Sequence, residues 1–433
     1  MLFTIASPIR PACRLNPLVV AALVTAGCAM TGAVQAQGVE TRLDLVRVEA
    51  AGLIDHPDAK ALLDARLAAS AEGGSGDWTY RLGAQLDAQG QTGDRDFDKV
   101  SLDYTENYLR WAGSDTMQVT VGTQKVLWGR VDEVSPIDRL SRADLTRGML
   151  DRLPQRRRAV PAIRGEYFGD GMKLDAVLVP VFDEAVLPEA ESIWNPIDTV
   201  RGRMLGVGSM PALVGARVEG PADEKVGGGG LRYTAEGDGF DYGFSVQRSR
   251  QSMPYYRMSA TPSGVVLRET HPWSTVVGAE LEAQQWGATW RMEAAWSSDV
   301  PLTTAQTFQY RTDPGYDLVV GSEFFPGDAE TRVTLQMAMH KTATDHDVVD
   351  RTTQYALTGE VEHPFAEGQW QINFRFAQGL KDKDSYLNPQ LTYKGIDQHE
   401  FYLGAHLFSG DEDTMGGFYR DNDMVTVGWR ARF

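Results

Sequence analysis

Between Lys125 and Arg164, ten basic side chains (Lys125, Arg130, Arg139, Arg142, Arg147, Arg152, Arg156, Arg157, Arg158 and Arg164) stand against five acidic ones (Asp132, Glu133, Asp138, Asp144 and Asp151), in a chain whose net charge is −17. Arginine at this density does two kinds of chemistry. It grips phosphates or carboxylates through its planar fork, or it sets the field in a narrow aqueous passage. Other chemistry has fewer candidates. The only cysteines are Cys13 and Cys28, so once a leader is removed no residue remains for a thiolate nucleophile, Cys-ligated zinc or an iron–sulfur cluster. The seven histidines (His56, His271, His340, His346, His363, His399 and His406) form no H-E-x-x-H and no pair at helical ligand spacing. The run Gly227–Gly230 lacks a following Lys-Ser/Thr and reads as a bulge or bend rather than a phosphate loop. Asp345/Asp347 and Asp411/Glu412/Asp413 could offer oxygens to calcium, but solvated loop charge is the simpler reading. No catalytic residue, metal site or cofactor is expected. The acidic balance argues against a nucleic-acid partner.

The elements that must position these residues begin with a leader. Arg10 and Arg14 precede the apolar stretch Leu18 to Met30, and Val34-Gln35-Ala36 ends on a small residue, so residues 1–36 read as a secretory signal. Thr25-Ala26-Gly27-Cys28 loosely resembles a lipoprotein box, with Thr25 where Leu is usual. Beyond this region no apolar run reaches the roughly 18 residues of a membrane helix. Residues 37–76 look separate from the rest: Asp55-His56-Pro57 is a helix start, Ala59 to Ala69 is rich in Ala, Leu, Arg and Asp, and Gly73-Gly74-Ser75-Gly76 breaks it. A short helical periplasmic lead-in is expected there.

From Trp78 the period becomes two. Apolar sets such as Trp78, Tyr80, Leu82 and Ala84, then Trp290, Met292, Ala294 and Trp296, then Trp370, Ile372, Phe374 and Phe376 alternate with polar residues over about ten positions, the pattern of a membrane barrel strand. Short turns (112–114, 169–171, 236–239, 285–287, 326–329, 364–368, 395–398) alternate with longer polar loops (90–98, 128–158, 184–226, 251–273, 299–315, 342–352, 379–386, 409–422). The fold class implied for 77–433 is all-β: a transmembrane antiparallel β-barrel of about 16 strands, 14 to 18 in range. Counting Ala212–Val218 and Val265–Glu269 as strands would give the upper figure. The last strand alternates Val425, Val427, Trp429, Ala431 and Phe433 with Thr426, Gly428, Arg430 and Arg432. Trp429 and the terminal Phe433 resemble the signal read by the outer-membrane insertion machinery, so the chain is expected in the cell outer membrane, beside lipid and lipopolysaccharide.

If the apolar sets face lipid, their alternates line the lumen: Arg291, Glu293, Arg332, Gln336, His340, Glu360, Glu362, Gln371, Asn373, Arg375, Arg430 and Arg432. Near the bilayer centre a lipid-facing charge would cost roughly 2–4 kcal/mol, which fixes this direction. The Arg-rich stretch then reads as a loop with a short helix, started at Ser135-Pro136 and Ser141–Asp144, folded inward as a constriction. Arg130, Asp132, Asp138, Arg139, Arg142, Arg156, Arg157 and Arg158 would be its working residues, meeting wall acids such as Glu293, Glu360 and Glu362 and biasing passage toward anions. The alternative is that the arginines bind lipopolysaccharide phosphates at the rim.

The run Val121-Gly122-Thr123-Gln124-Lys125-Val126-Leu127-Trp128-Gly129-Arg130, with Asp132, Pro136, Asp138 and Asp144-Leu145 after it, resembles a stretch of poorly characterised proteobacterial outer-membrane barrels. There a strand ends in Trp-Gly-Arg or Trp-Gly-Lys and leads into an Asn-Pro-x-Asp loop. This chain has Ser135 in place of the Asn and Arg142-Ala143-Asp144 in place of Pro-Arg-Asp. The likeness extends over about 70 residues, to Pro188, and implies a porin-like barrel without naming a solute. Diffusion of small hydrophilic solutes, some of them anionic, is the function expected. A transporter of lipids or fatty acids, with residues 37–76 as a plug and the apolar Val186-Leu187-Pro188 and Ile193-Trp194 at its mouth, is the alternative. A scaffold around a partner protein is a third. An enzyme is not expected, although barrel enzymes assemble Ser, His and Asp from separate strands, which spacing cannot reveal. Association into homo-oligomers stays open.

Overall fold

The computed structural model describes residues 38–221, 225–262, 264–327 and 330–433; the expected leader 1–36 lies outside them. Nearly all of the described chain is strand, turn or loop. One sheet closes on itself through Val46↔Ala431 to Leu53↔Met424, first strand against last. It contains nineteen stretches, but Phe97–Tyr104 and Asn107–Ser114 both pair with Trp78–Gly93 and are two halves of one strand, so the barrel has 18 strands.

In chain order these are β1 (Val39–Leu53), β2 (Ala59–Ser75), β3 (Trp78–Gly93), β4 (the two halves Phe97–Tyr104 and Asn107–Ser114), β5 (Met117–Gln124), β6 (Val160–Gly169), β7 (Met172–Val179), β8 (Gly228–Glu236) and β9 (Phe240–Arg250). They continue as β10 (Trp273–Gln285), β11 (Ala288–Thr303), β12 (Tyr310–Phe324), β13 (Arg332–Thr342), β14 (Thr353–Phe365), β15 (Trp370–Gly379), β16 (Ser385–Ile396), β17 (His399–Ser409) and β18 (Met424–Ala431). Neighbours in sequence are neighbours in the wall, all antiparallel. One rim is made of tight turns, as at 76–77, 170–171 and 286–287; the other carries the long connections, among them 125–159, 180–227 and 251–272.

Two expectations are corrected. Residues 39–53 and 59–75 are wall strands, not a helical lead-in or a plug, and they supply the two strands missing from a count of 16. The segment Leu63-Asp64-Ala65-Arg66-Leu67 fits either period; burial of Asp64 and Arg66 among lumen charges decides for strand. Arg217–Glu219 and Gly264–Thr270 add nothing to the wall, since with Tyr255–Thr261 they form a separate three-stranded sheet above the loop rim.

Alternation across the wall follows the pleat. On β11 the side chains of Trp290, Met292 and Trp296 are exposed, whereas Glu293 between them is fully buried. The same outward set recurs as Leu82, Leu102, Val121, Leu178, Leu231, Val277, Val320, Met337, Ile372, Leu403 and Val427. Toward the turn rim the outward residues become aromatic, with Trp78, Phe240, Trp286, Phe365 and Phe401 exposed, which is the girdle expected at a membrane interface.

The wall is uneven. β5 stops at Gln124 and β6 begins at Val160, so the upper half of β4 is laddered to β3 alone among the described residues. Loop residues 183–191 run beside that free edge, held by side chains: Tyr104 to Asp183, Lys99 to Glu189 and the Arg95 guanidinium to the Ala190 carbonyl (2.9 Å).

Candidate functional site: the lumen loop

Past Gln124 the chain leaves the wall and enters the lumen, returning only at Val160. Its first turn is tied by Asp138, which accepts the backbone N–H groups of Trp128 (2.6 Å) and Gly129 (2.7 Å). Trp128 is 1% exposed and its indole N–H donates to Asp175 on β7 (3.0 Å). The ring tip lies against Gly230 on β8, where an added Cβ would come within 2.9 Å of it, and Ile137 sits the same way on Gly278 of β10, 2.5 Å from where a Cβ would be. Two bare glycines in the wall are therefore sockets for two apolar loop side chains, which explains part of the Gly227–Gly230 run. Glu293 accepts the backbone N–H groups of Arg130 (2.5 Å) and Val131 (3.0 Å) and the Ser135 hydroxyl (2.7 Å). The Arg130 side chain reaches Glu280 (2.9 Å).

The expected helix in this loop is absent. Residues 142–143 pair with 157–158 as a two-residue ladder, and turns such as Gly148 N–H to the Leu145 carbonyl fill the span between. Side-chain acceptors, Asp144 above all, take the donors a helix would have used internally: Asp144 accepts from the Thr146 N–H (3.1 Å) and hydroxyl (2.7 Å).

Most of the arginines are bolts. Arg158 contacts Asp144 (2.7 Å), Asp87 (2.7 Å) and Asp103 (3.2 Å); Arg66 contacts Asp87 (2.6 Å) and Asp144 (2.9 Å); Arg142 donates from Nη2 to both oxygens of Asp103 (2.6 and 2.7 Å). A second cluster joins Arg47 and Arg147 to Asp64 (2.6 and 3.1 Å) and to Asp151 (both 3.0 Å), with Glu49 on Arg147 (2.8 Å). All of these groups are buried or nearly so, and buried charge persists only when it is paired and hydrogen-bonded. Burial alone would raise the Asp144 carboxyl, but Arg158 and Arg66 outweigh it and hold it below the usual carboxylate range.

On the opposite side the loop stands off the wall. Arg375 forks onto Glu133 (2.6 and 2.8 Å), and Arg152 reaches Glu360 and Glu362 (3.1 Å to the latter). Between these struts lies a cavity of about 230 Å³ lined by Asp132, Glu133, Asp138 and Arg152 of the loop and by Arg332, Gln336, Thr358 and Glu360 of β13 and β14. Arg332 pairs with Glu323 (2.7 Å) and Glu362 (3.1 Å), and Arg291 with Glu282 (3.1 Å) and Asp132 (3.5 Å). Burial raises Asp132 above the ordinary carboxylate range, against the opposing pull of Arg291 and Arg332.

The sequence-expected residues thus divide. Arg142 and Arg158 are buried in the bolts; Arg156 and Arg157 are half-buried, Arg156 on the Glu133 carbonyl (2.9 Å). Arg139, 3.6 Å from Asp317, and Arg152 are the loop arginines with open guanidinium groups. Glu360 and Glu362 do meet a loop arginine, though it is Arg152. Arg430 pairs with Glu400, while Arg432 lies past the end of β18 and is exposed. Trp429 donates its indole N–H to His399 (3.1 Å), and Phe433 packs edge-on against the same ring. Asp64, Asp87, Asp103 and Asp175, the wall acceptors, were missed: a lone Asp in an alternating strand looks like any lumen residue. The apolar pieces near the mouth are packing: Val186 bridges to Asp144, and Trp194 packs at a tilt against Phe408 and Tyr419.

A family model described as "Protein of unknown function (DUF1302)" matches residues 58–373. No curated protein matches the sequence. Among solved structures, OccAB1 of Acinetobacter baumannii superimposes with a TM-score of 0.52 at 7% identity, covering 93% of this chain and 99% of that one. OmpF of Salmonella typhi gives 0.47 at 10% identity, with 92% and 98% covered. The outer-membrane channel DcaP of A. baumannii gives 0.44 at 11%, with 93% and 100% covered. At 7% identity the likeness to OccAB1 is one of fold, that of an outer-membrane β-barrel.

Proposed function

The chain belongs to the DUF1302 family, and we propose that it is a porin-like channel through which small hydrophilic solutes diffuse across the outer membrane. The observation that carries this reading is the cavity of about 230 Å³ left between the inward loop and β13–β14, where the charged Asp132, Glu133, Arg152, Arg332 and Glu360 stand beside the apolar Leu127, Val131, Leu153 and Pro154. The loop packs against β2–β4 through buried ion-pair clusters and reaches β13–β15 through separate contacts of Glu133 and Arg152, and the cavity stays open between those contacts. Acids and arginines stand on both the loop side and the wall side of this cavity, so as part of a pore it would offer a transverse field to a dipolar solute. We take the preferred solutes to be neutral or zwitterionic rather than anionic, because nearly every loop arginine faces a carboxylate. Residues 39–75 are wall, which removes the plug on which a lipid-transport reading leaned.

The test is conductance of the refolded full chain in a planar bilayer, with reversal potentials in a salt gradient. Steady openings with weak charge selectivity are expected. A folded barrel that never conducts would refute the channel, and strong anion preference would refute the pairing argument.

A further inference from the structure

Away from the lumen loop, three side chains meet above the loop rim. Glu269 ends the strand Gly264–Thr270, His271 follows it, and Glu184 comes from the long connection after β7. Their ligand atoms all lie within 4.8 Å of one another. His271 is fully buried and Glu269 is 8% exposed, while Glu184 opens to solvent.

The imidazole is oriented. Its Nδ1 lies 2.9 Å from the Gln251 carbonyl, a contact that only an N–H can make, so the neutral ring turns its Nε2 lone pair toward the two carboxylates. A histidine whose far nitrogen donates to a backbone carbonyl is the usual arrangement of a metal ligand, because that bond fixes tautomer and ring plane. Nε2 is 3.3 Å from Glu269 Oε1 and 3.8 Å from Glu184 Oε2. A proton bridging imidazolium and carboxylate draws the heavy atoms to about 2.7–2.9 Å. Zinc bonds of about 2.0–2.2 Å to nitrogen and oxygen place two tetrahedral ligands about 3.3–3.5 Å apart. The 3.3 Å separation of His271 and Glu269 matches the second case, and the exposed Glu184, at 3.8 Å, reaches it by a small side-chain rotation.

We propose that Glu184, Glu269 and His271 form a binding site for a divalent transition-metal ion of the zinc type. One nitrogen and two carboxylates suit Zn²⁺; Ca²⁺ and Mg²⁺ prefer oxygen alone. The fourth position faces solvent on the Glu184 side and takes water. The ion ties residue 184, in the part of the connection beside the free edge of β4, to the end of the strand Gly264–Thr270, adding to the Phe182–His271 ring contact (4.9 Å) and the Ala185 N–H to Ser252 carbonyl bond (3.0 Å) nearby.

The experiment uses untagged full-length protein, refolded in detergent and stripped with chelator, titrated with Zn²⁺ by calorimetry, with bound metal counted by elemental analysis. One ion per chain with micromolar or tighter affinity is expected. Glu184→Gln, on an exposed side chain that leaves the fold intact, should weaken binding at least tenfold, and His271→Ala should abolish it; millimolar Ca²⁺ should not compete. Absence of a stoichiometric ion, or unchanged binding in both variants, overturns the site and leaves only adventitious zinc on other histidines. Full displacement by Ca²⁺ overturns the assignment of the metal.

Discussion

Asp144→Asn is the sharpest perturbation of the lumen. The carboxylate holds two guanidinium groups, Arg66 at 2.9 Å and Arg158 at 2.7 Å, and is itself 4% exposed. The amide keeps the shape and removes the charge, so the two arginines keep only Asp87 and Asp103 as partners. Breaking a buried ionic cluster by deleting one member costs about 3–5 kcal/mol. That cost falls on the docked loop and not on the wall, whose strands are held by their own ladders. The ratio of docked to released loop should therefore fall by roughly a hundredfold to a few thousandfold. Two assays read this. Single-channel conductance should rise and become noisy, and trypsin should cut at the loop arginines, which the docked loop shields. Heat-dependent migration of the barrel in detergent gels should stay as in the wild type. Unchanged conductance together with an uncut loop would refute the view that the ionic bolts hold the loop in place.

Other outcomes follow from the same geometry. Gly278→Val should displace Ile137 from its socket, a clash worth about 1–3 kcal/mol, and expose the loop to trypsin without loss of the barrel. Arg152→Ala should move the reversal potential toward cations, whereas Arg142→Ala should act mainly by loosening the loop; equal selectivity shifts in both would contradict the assignment of Arg152 as the open charge. Asp132, with its carboxyl raised by burial, should take up a proton as pH falls toward its elevated value, earlier than an ordinary Asp. Protonation removes a negative charge from the passage, so anion permeability should rise on mild acidification in the wild type and not in Asp132→Asn. Deleting Phe433 should lower the yield of inserted barrel in cells while leaving detergent refolding largely intact.

The wall was legible because one face of each strand meets lipid and the other meets water, which prints a period of two on sequences such as Trp290–Trp296. β1 and β2 escaped because their outward residues lack the aromatics that mark the other strands, Val46, Val48 and Ala50 on β1 and mostly Ala and Leu on β2, and an Ala- and Leu-rich stretch such as 59–69 favours helix. Lumen charges overrode it. The inward turn of the Arg-rich loop could be read from composition, but its bolts could not: Arg47 meets Asp151 104 positions away, and Arg375 meets Glu133 242 positions away. Charge density says that partners are needed without saying which.

The short sector of the wall bears on the membrane as well as on the lumen. The lower half of β4, β5 and β7 have eight residues each and β6 has ten, against sixteen on β11 and fifteen on β12. At about 3.3 Å per residue and a tilt near 40°, eight residues stand about 20 Å tall, less than the apolar band of about 25 Å that such barrels present to lipid. Backbone groups at the free edge of β4 cannot face hydrocarbon unpaired without a cost of several kcal/mol each. The fully laddered wall is therefore shorter beside β5–β7 than beside β11 and β12, and above it the flank presents loop residues 183–191 along the edge of β4 in place of a paired strand. Wall height that varies in this way gives a round protein a preferred side, and neighbours in the membrane would sort toward or away from it.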